Sequence, residues 1–271
     1  MMRVAIVGNL ALDAVAGTPE RPGGAVWYCG HALRTLAPEL DVTLVCRCAA
    51  DDAPAILPSL EALGFPVVWR PAESTIRFSF HYEGDERIMR IEALADTWTP
   101  DDVSGWAGSA IAGADWVVVG ALNRGDFPLE TMAALAARGH RLIVDAQGLV
   151  RRARVGPLLV DGDVDRAIFR QLTALKLNDE EAVQLCGGTD PEALASLGVP
   201  EVILTLGSQG AVILSGDETT RVPAVPIDGP VDPTGAGDMF LMAYGLARLR
   251  GEDPATAGLA ASRFVSTIIA R

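Results

Sequence analysis

Lysine is almost missing from this chain of 271 residues: Lys176 is the only one. Lys and Arg together number 22 against 35 Asp and Glu, a formal net charge of -13, so no basic face for nucleic acid or an anionic membrane is expected. The P-loop string GxxxxGK[ST] does not occur, and any bound nucleotide must be held by backbone amides, arginines and a metal. Cysteine is scarce too. Cys29, Cys46, Cys48 and Cys186 contain no CxxC pair and fit neither a zinc module nor a small disulfide scaffold, so reduced, mostly buried thiols are expected. His31, His81 and His140 are scattered and give no metal-ligand spacing. No apolar run approaches the ~20 residues that span a bilayer. Met1 to Ala16, with Arg3, an apolar stretch and Ala14-Val15-Ala16, imitates a secretory leader. Asn9 and Asp13 interrupt it, so a strand and turn, and a cytoplasmic location, are the expectation.

What the chain has is apolar content, 49%, enough for one large core over 1–271. Short β-branched runs recur at Arg3 to Val7, Val42 to Val45, Trp116 to Val119, Leu142 to Val144, Ala174 to Leu177 and Val202 to Leu206. Helical patterns lie between or after them, at Ala25 to Leu36, Ala53 to Leu63, Leu129 to Ala137, Asp179 to Cys186 and Pro191 to Leu197. That alternation predicts an α/β fold, a central mostly parallel sheet with helices on both faces. In such sheets ligands sit beyond the carboxyl ends of the strands. Asp13, Asn123, Asp145, Gln147, Asn178 and Thr205 with Gly207 should therefore converge on one rim.

Two stretches break the pattern. Thr75 to Tyr82 alternates at period two, Glu83-Gly84-Asp85-Glu86 forms a turn, and Arg87 to Ile91 alternates again, which predicts a β-hairpin at about 74–95. From Gly198 to Val225, runs at Val202 to Leu206, Ala211 to Leu214 and Thr219 to Val222 are separated by glycine turns, an antiparallel appendage on the sheet edge. Asp253-Pro254 opens a final helix, with a capping Asp and Pro at its first position.

Val231-Asp232-Pro233-Thr234-Gly235-Ala236-Gly237-Asp238-Met239-Phe240 carries the chemistry. Pro233 and Gly235 stop an extended segment, the glycines let backbone approach a ligand, and Met239 to Arg250 reads as an amphipathic helix. The first N–H groups of that helix have no internal partners and sit at the positive end of its dipole, a seat for an anion. Asp238 beside it can accept the proton of an attacking hydroxyl while the N–H groups hold charge on a transferred phosphoryl. Asn178 and Glu181, in Asn178-Asp179-Glu180-Glu181, are spaced as a capping box. The same geometry can aim both at Mg²⁺ or its waters.

The run ending in Gly-Ala-Gly-Asp resembles the DTGAGD signature of the ribokinase-like, PfkB-type carbohydrate kinases, with Pro233 where many members carry Thr or another small residue. The resemblance implies ATP and Mg²⁺, Asp238 as general base, and Gly235, Ala236 and Gly237 as the anion hole. It implies a nucleotide site at Asn178 and at Thr205, Gly207 and Gly210, which match a TxGxxG segment, and a lid formed by the hairpin. Glu181 falls in the family's NxxE motif, which implies a Mg²⁺ ligand acting through water, since hard cations keep a water shell. Asn9 and Asp13 match its first strand, where the Asp grips adjacent hydroxyls. Gly23 and Gly24 stand in its GGN segment, with Ala25 replacing the Asn. Gln147 stands in Asp145-Ala146-Gln147-Gly148-Leu149-Val150-Arg151, which departs from the DxNxR of many sugar kinases and, with Gly-Gly-Ala, looks closer to the inositol kinase branch. Family analogy also implies a monovalent cation, K⁺, near Asp232.

The reading that results is an ATP-dependent kinase acting on a hydroxyl of a small sugar or polyol, working as a monomer or as a homodimer through the lid. A nucleoside kinase would use the same site with an aromatic shelf from Trp27, Tyr28 and Phe80. A non-catalytic sensor on the same scaffold would have no need of Asp238.

Overall fold

Val4 to Val7 is apolar without interruption because its strand is covered on both sides: Val4 and Ile6 pack into one core, Ala5 and Val7 into another. The computed structural model describes residues 2–15, 18–83, 86–227 and 234–270, without the side chains of 82–87. In chain order, β1 (Arg3–Asn9), β2 (Ala11–Val15) and β3 (Arg21–Gly23) lead to α1 (Ala25–Leu36), β4 (Asp41–Ala49), α2 (Ala53–Glu61), β5 (Val67–Ala72) and the paired strands β6 (Ile76–Glu83) and β7 (Glu86–Ala93). Two short helices, α3 (Pro100–Ser104) and α4 (Trp106–Ile111), precede β8 (Trp116–Gly120), α5 (Leu129–Ala137), β9 (Arg141–Asp145) and the single-turn α6 (Gln147–Val150). The rest runs β10 (Gly156–Pro157), β11 (Ala174–Asn178), α7 (Asp179–Cys186), α8 (Pro191–Ala195), β12 (Glu201–Thr205), β13 (Ala211–Ser215), β14 (Glu218–Val222), α9 (Ala236–Leu249) and α10 (Pro254–Ile269).

The main sheet has the order β14-β13-β12-β11-β9-β8-β1-β4-β5. Its β12–β13 and β13–β14 pairings are antiparallel, and the others are parallel. Helices α1, α2, α9 and α10 cover one face, and α3, α4, α5, α7 and α8 the other. This is the parallel α/β sheet with an antiparallel edge that the sequence pattern predicts. Asp253 caps the last helix as expected, accepting from Thr256 N at 3.0 Å.

The structure adds what the pattern left out. β5 is a half-buried edge strand, and α3 is too short to show a helical period. Its start was nonetheless encoded: Thr99 and Asp102 form a reciprocal capping box, with Pro at the first position.

The hairpin of β6 and β7 belongs to a second sheet of five strands, in the order β10-β7-β6-β2-β3. β2 runs parallel to β6 and antiparallel to β3, so the outer layer is larger than a lone hairpin. A single residue, Leu10, joins β1 of the main sheet to β2 of the outer one. Arg77 on β6 forks onto Asp52 at 2.7 and 3.1 Å, tying the outer sheet to the start of α2. The two sheets thus enclose a wedge at the carboxyl end of β1.

Candidate functional site

The start of α9 carries no side-chain cap. Gly235, its N-cap, has φ +77, and a Cβ there would come within 2.3 Å of Tyr28 Cδ1, so glycine is required both by backbone and by space. The helices α3, α7, α8 and α10 have N-cap side chains that accept from their own first turns. α9 has none. Met239 N is the first amide to bond back, to Gly235 O at 2.9 Å. The N–H groups of Ala236, Gly237 and Asp238 therefore have no partner among the described residues. The helix begins three residues before the Met239 that the sequence suggests, because Ala236 and Gly237 already take helical geometry. α1 opens in the same manner, at Gly24 with φ +88 and no side-chain cap.

Both glycine starts line one cleft of about 250 Å³. Of the residues expected at the rim, Asp13, Gly24, Asp145, Gln147, Asn178, Glu181, Gly235, Gly237 and Asp238 line it. Tyr28, Phe78, Met89 and Leu122 supply its apolar wall. A wider depression of about 520 Å³ lies at the opposite end of the strands, around Arg138, His140 and Arg141, and contains none of the motif residues.

Asp238 is 9% exposed. Burial, then the neighbouring Asp145 carboxylate, push its carboxyl up from the ordinary 3.8 to about 7, against the pull of Lys176 and Arg151. Gln147 Nε2 stands 3.5 Å from Asp238 Oδ1, at the outer limit of a hydrogen bond. Lys176 is buried and donates to Asp145 Oδ2 at 2.9 Å. Burial alone would lower the lysine, but Asp145 and Glu181 outweigh it and hold its pKa above the ordinary value. The ammonium also presses on the mouth of α9: a Cβ at Gly237 would lie 2.7 Å from Nζ. A cation at the positive end of a helix is unfavourable unless an anion sits with it, and Asp145 supplies that anion.

Asn178 and Glu181 complete a reciprocal capping box, with both bonds at 2.8 Å, and both line the cleft. The capping box therefore forms without taking either residue out of the cleft wall. Burial, then Asp145, raise the Glu181 carboxyl, and Lys176 opposes them. Among the described residues no group of three or more His, Cys, Asp or Glu side chains is arranged to hold a metal. A Mg²⁺ at Glu181 would take its remaining ligands from phosphate oxygens and water, which suits that ion's habit of keeping waters.

Other expected residues lie elsewhere. Asn9 is fully buried beneath the cleft, where its Oδ1 accepts from Trp98 Nε1 at 2.9 Å and its Nδ2 donates to Asp96 O at 3.1 Å. Asn123 is buried too and donates to Asp126. Burial pushes the Asp126 carboxyl up to about 7 even though Leu122 N and Asn123 bond it. These residues brace the loops behind the cleft. Gly23 is set against Asp13, where a Cβ would meet the carboxylate at 2.4 Å. Ala236 does not line the wall. Thr205 pairs with Asn178 in the sheet and donates to Leu177 O at 3.2 Å. It forms with Gly207 and Gly210 a turn beside the cleft rather than in it, and Gly210 has φ +90. Of the aromatic shelf, Tyr28 is in the wall. Trp27 instead stacks on His31, and Phe80 is buried, with Phe78 lining the cleft. Asp232 lies outside the described residues.

Two cleft cations, Lys176 and Arg151, carry no expected role from the sequence. Lys176 stood two residues before Asn178 on a strand, and Arg151 six residues after Asp145, signals of position but not of direction.

With this geometry in hand, the comparisons with known proteins are specific. The model of the pfkB family carbohydrate kinases matches residues 78–271, and the chain belongs to that family. It is a phosphotransferase with an alcohol acceptor, of the sugar and nucleoside kinase kind. The ribokinase of Bacillus subtilis (strain 168) is 28% identical over 272 residues, which is 93% of this chain and 88% of that one. A nucleoside kinase of Burkholderia thailandensis, solved with inosine, is 25% identical at a TM-score of 0.79, covering 99% of this chain and 91% of the other. A pyrophosphate-dependent kinase in the ribokinase family, solved with sulfate, shares the fold at a TM-score of 0.81 and 20% identity, over 98% and 94% of the two chains. No helix among the described residues is long and apolar enough to cross a membrane.

Proposed function

We propose that the protein transfers the terminal phosphoryl of ATP to a hydroxyl of a small sugar or polyol bound between the two sheets. Asp238 takes the hydroxyl proton as the acceptor oxygen attacks phosphorus, the bond to the leaving phosphate breaks, and the nucleoside diphosphate departs. The backbone amides of Gly235, Ala236 and Gly237 hold the charge that spreads over the phosphoryl oxygens. Asp13 and Gln147, with backbone at Gly23 and Gly24, orient the acceptor from the outer-sheet side. Asn178, Thr205, Gly207 and Gly210 face the donor, and Glu181 with the donor's phosphates would hold Mg²⁺, which when bound neutralises phosphate charge. Asp232 is the residue proposed for a monovalent cation. The observation that carries this reading is a nearly buried carboxylate, its pKa raised to about 7, at the mouth of a helix whose first amides have no partner among the described residues. A base tuned near working pH is the effective one.

A nucleoside acceptor is the second reading, favoured by Tyr28 and Phe78 in the cleft wall and by the inosine bound in the Burkholderia thailandensis kinase. One screen separates the two: sugars, polyols including myo-inositol, and nucleosides against ATP, ADP and pyrophosphate as donors, with product phosphate followed directly. With the best pair, Asp238→Asn should fold as the wild type does and lose ~10²- to 10⁴-fold in turnover. Near-normal turnover in that variant rejects the assigned base.

A further inference from the structure

Asp126 is a buried acid that the proposed reaction leaves unused. It is 1% exposed and has no cation at ion-pair distance among the described residues. Its Oδ2 accepts from Leu122 N and its Oδ1 from Asn123 Nδ2, both at 2.8 Å, and Asn9 bonds it from the end of β1. The Asn123 amide cannot turn to offer its oxygen, which already accepts from Gly125 N at 2.8 Å. Asn9 is fixed likewise, by Trp98 Nε1 and Asp96 O. The site is thus shaped for a carboxylate. Burial opposes that charge and lifts the carboxyl to about 7, so the group is poised between its two forms. Charged side chains on the surrounding elements are committed elsewhere: Arg124 pairs with Asp161, Asp96 accepts from Glu73 N at 3.0 Å, Arg47 of β4 pairs with Asp102 at 2.9 Å, and Glu130 of α5 is exposed.

What these bonds hold is the acceptor side of the cleft. Leu122, two residues beyond β8, is in the cleft wall. In the same turn Arg124 donates from N to Arg151 O at 2.9 Å and from Nε to Leu149 O at 2.8 Å, so the turn also carries α6, which brings Gln147 to the cleft. Ala121 lies so close to that helix that a Cβ at Gly148 would come within 2.3 Å of its own Cβ. Loosening this one turn therefore disturbs both an apolar and a polar part of the proposed acceptor site.

We propose that Asp126 is a positioning residue for the acceptor: as a carboxylate it pins the Leu122 to Asp126 turn, and through it the cleft wall and α6, and on protonation it loses a bond and weakens acceptor binding. A proton on either oxygen meets a donor, so one hydrogen bond must break inside the core. This role rests on the kinase reading above and adds a second titrating acid with a separate duty. Asp238 governs turnover, and Asp126 governs acceptor affinity.

The first test needs no substrate. An amide that donates to a carboxylate shifts its resonance when the acid takes a proton, so the Leu122 N–H signal should titrate near pH 7 in wild type. It should still do so in Asp238→Asn and be flat in Asp126→Asn. A signal that is flat in wild type, or that is lost in Asp238→Asn, overturns the proposal. The second test is kinetic, with ATP and the best acceptor from the screen. Lowering the pH from 8 to 6 should raise the wild-type acceptor KM about three- to tenfold, the scale of one hydrogen bond to a charged group. Asp126→Asn should show the raised KM already at pH 8, without further pH dependence, and keep kcat within about threefold. A KM slope that persists in Asp126→Asn belongs to another group and overturns the proposal, as does a large loss of kcat at unchanged KM. Should that variant fail to fold, the wild-type profile decides: an acceptor KM constant from pH 6 to 8 overturns the proposal. No transfer to any acceptor, with Leu122 still titrating, would sink the kinase reading and the acceptor role with it, a result distinct from a silent Leu122.

Discussion

Asp238 works in an environment that opposes its charge. Its carboxyl sits at about 7 because burial, and then Asp145, disfavour the ionised form. A base acts only when ionised, so kcat/KM should climb with pH through a midpoint near 7 and level off above it. A flat profile from pH 5 to 8 would contradict the assignment. The same shift bears on folding. With the folded pKa above the ordinary 3.8, the folded chain binds the extra proton between those values, and this group's contribution to stability falls as pH rises through that window. Asp238→Asn should therefore be more stable than wild type at pH 8, on the order of 1–3 kcal/mol, and little different at pH 4. Thermal melts at both pH values decide it. Equal differences at both would mean that the charge is better compensated than the cleft suggests. Lys176 is the counterweight, and its pairing with Asp145 helps four buried carboxyls share one lysine-bearing pocket.

At the scale of the element, the proposed chemistry depends on how α9 begins. Helices α7 and α10 close their first turns with a side chain, while α9 and α1 open with glycines that face the cleft. Gly235→Ala would place a methyl where φ is +77 and against the Tyr28 ring. It should cost ~1–3 kcal/mol of stability and at least ~10-fold in kcat, read by melting and by initial rates. A fully active, fully stable variant would show that the cradle can be built with a side chain present. This element was legible before any coordinates because glycine spacing, Asp238 and the following apolar stripe agree. So were α1, α5 and α7, whose bounds follow the helical period, and the capping box of Asn178 and Glu181. The outer sheet was only half legible. β2 and β3 lie among residues that read as a turn, and their partner, β6, is more than fifty residues away, a pairing that no local pattern encodes. Asn9 was misleading for a related reason: its polarity suggested a ligand, but its partners, Trp98 and Asp96, come from a distant loop.

The whole molecule carries a formal charge of -13, and four carboxylates face the cleft against two cations. On the proposed reading, an anionic donor approaching such a protein is repelled at long range and held at the amide cradle. Screening weakens the first effect more than the second, since exposed charges feel salt and buried dipoles do not. Raising ionic strength from about 0.01 to 0.15 M, over which the screening length shortens from about 30 to 8 Å, should increase kcat/KM for the donor, by roughly two- to fivefold on the scale of surface steering effects. A fall would mean that Arg151 and its neighbours attract the donor from a distance.

One joint in the backbone has a mechanical meaning. Leu10 alone separates the innermost strand of the large sheet from β2, and Asp13 rides on β2 three residues further on. The outer layer cannot tilt without swinging the carboxylate that would hold the alcohol. Capping the wedge and aiming the acceptor are thus one stroke of the same lever, with its pivot sunk in the core.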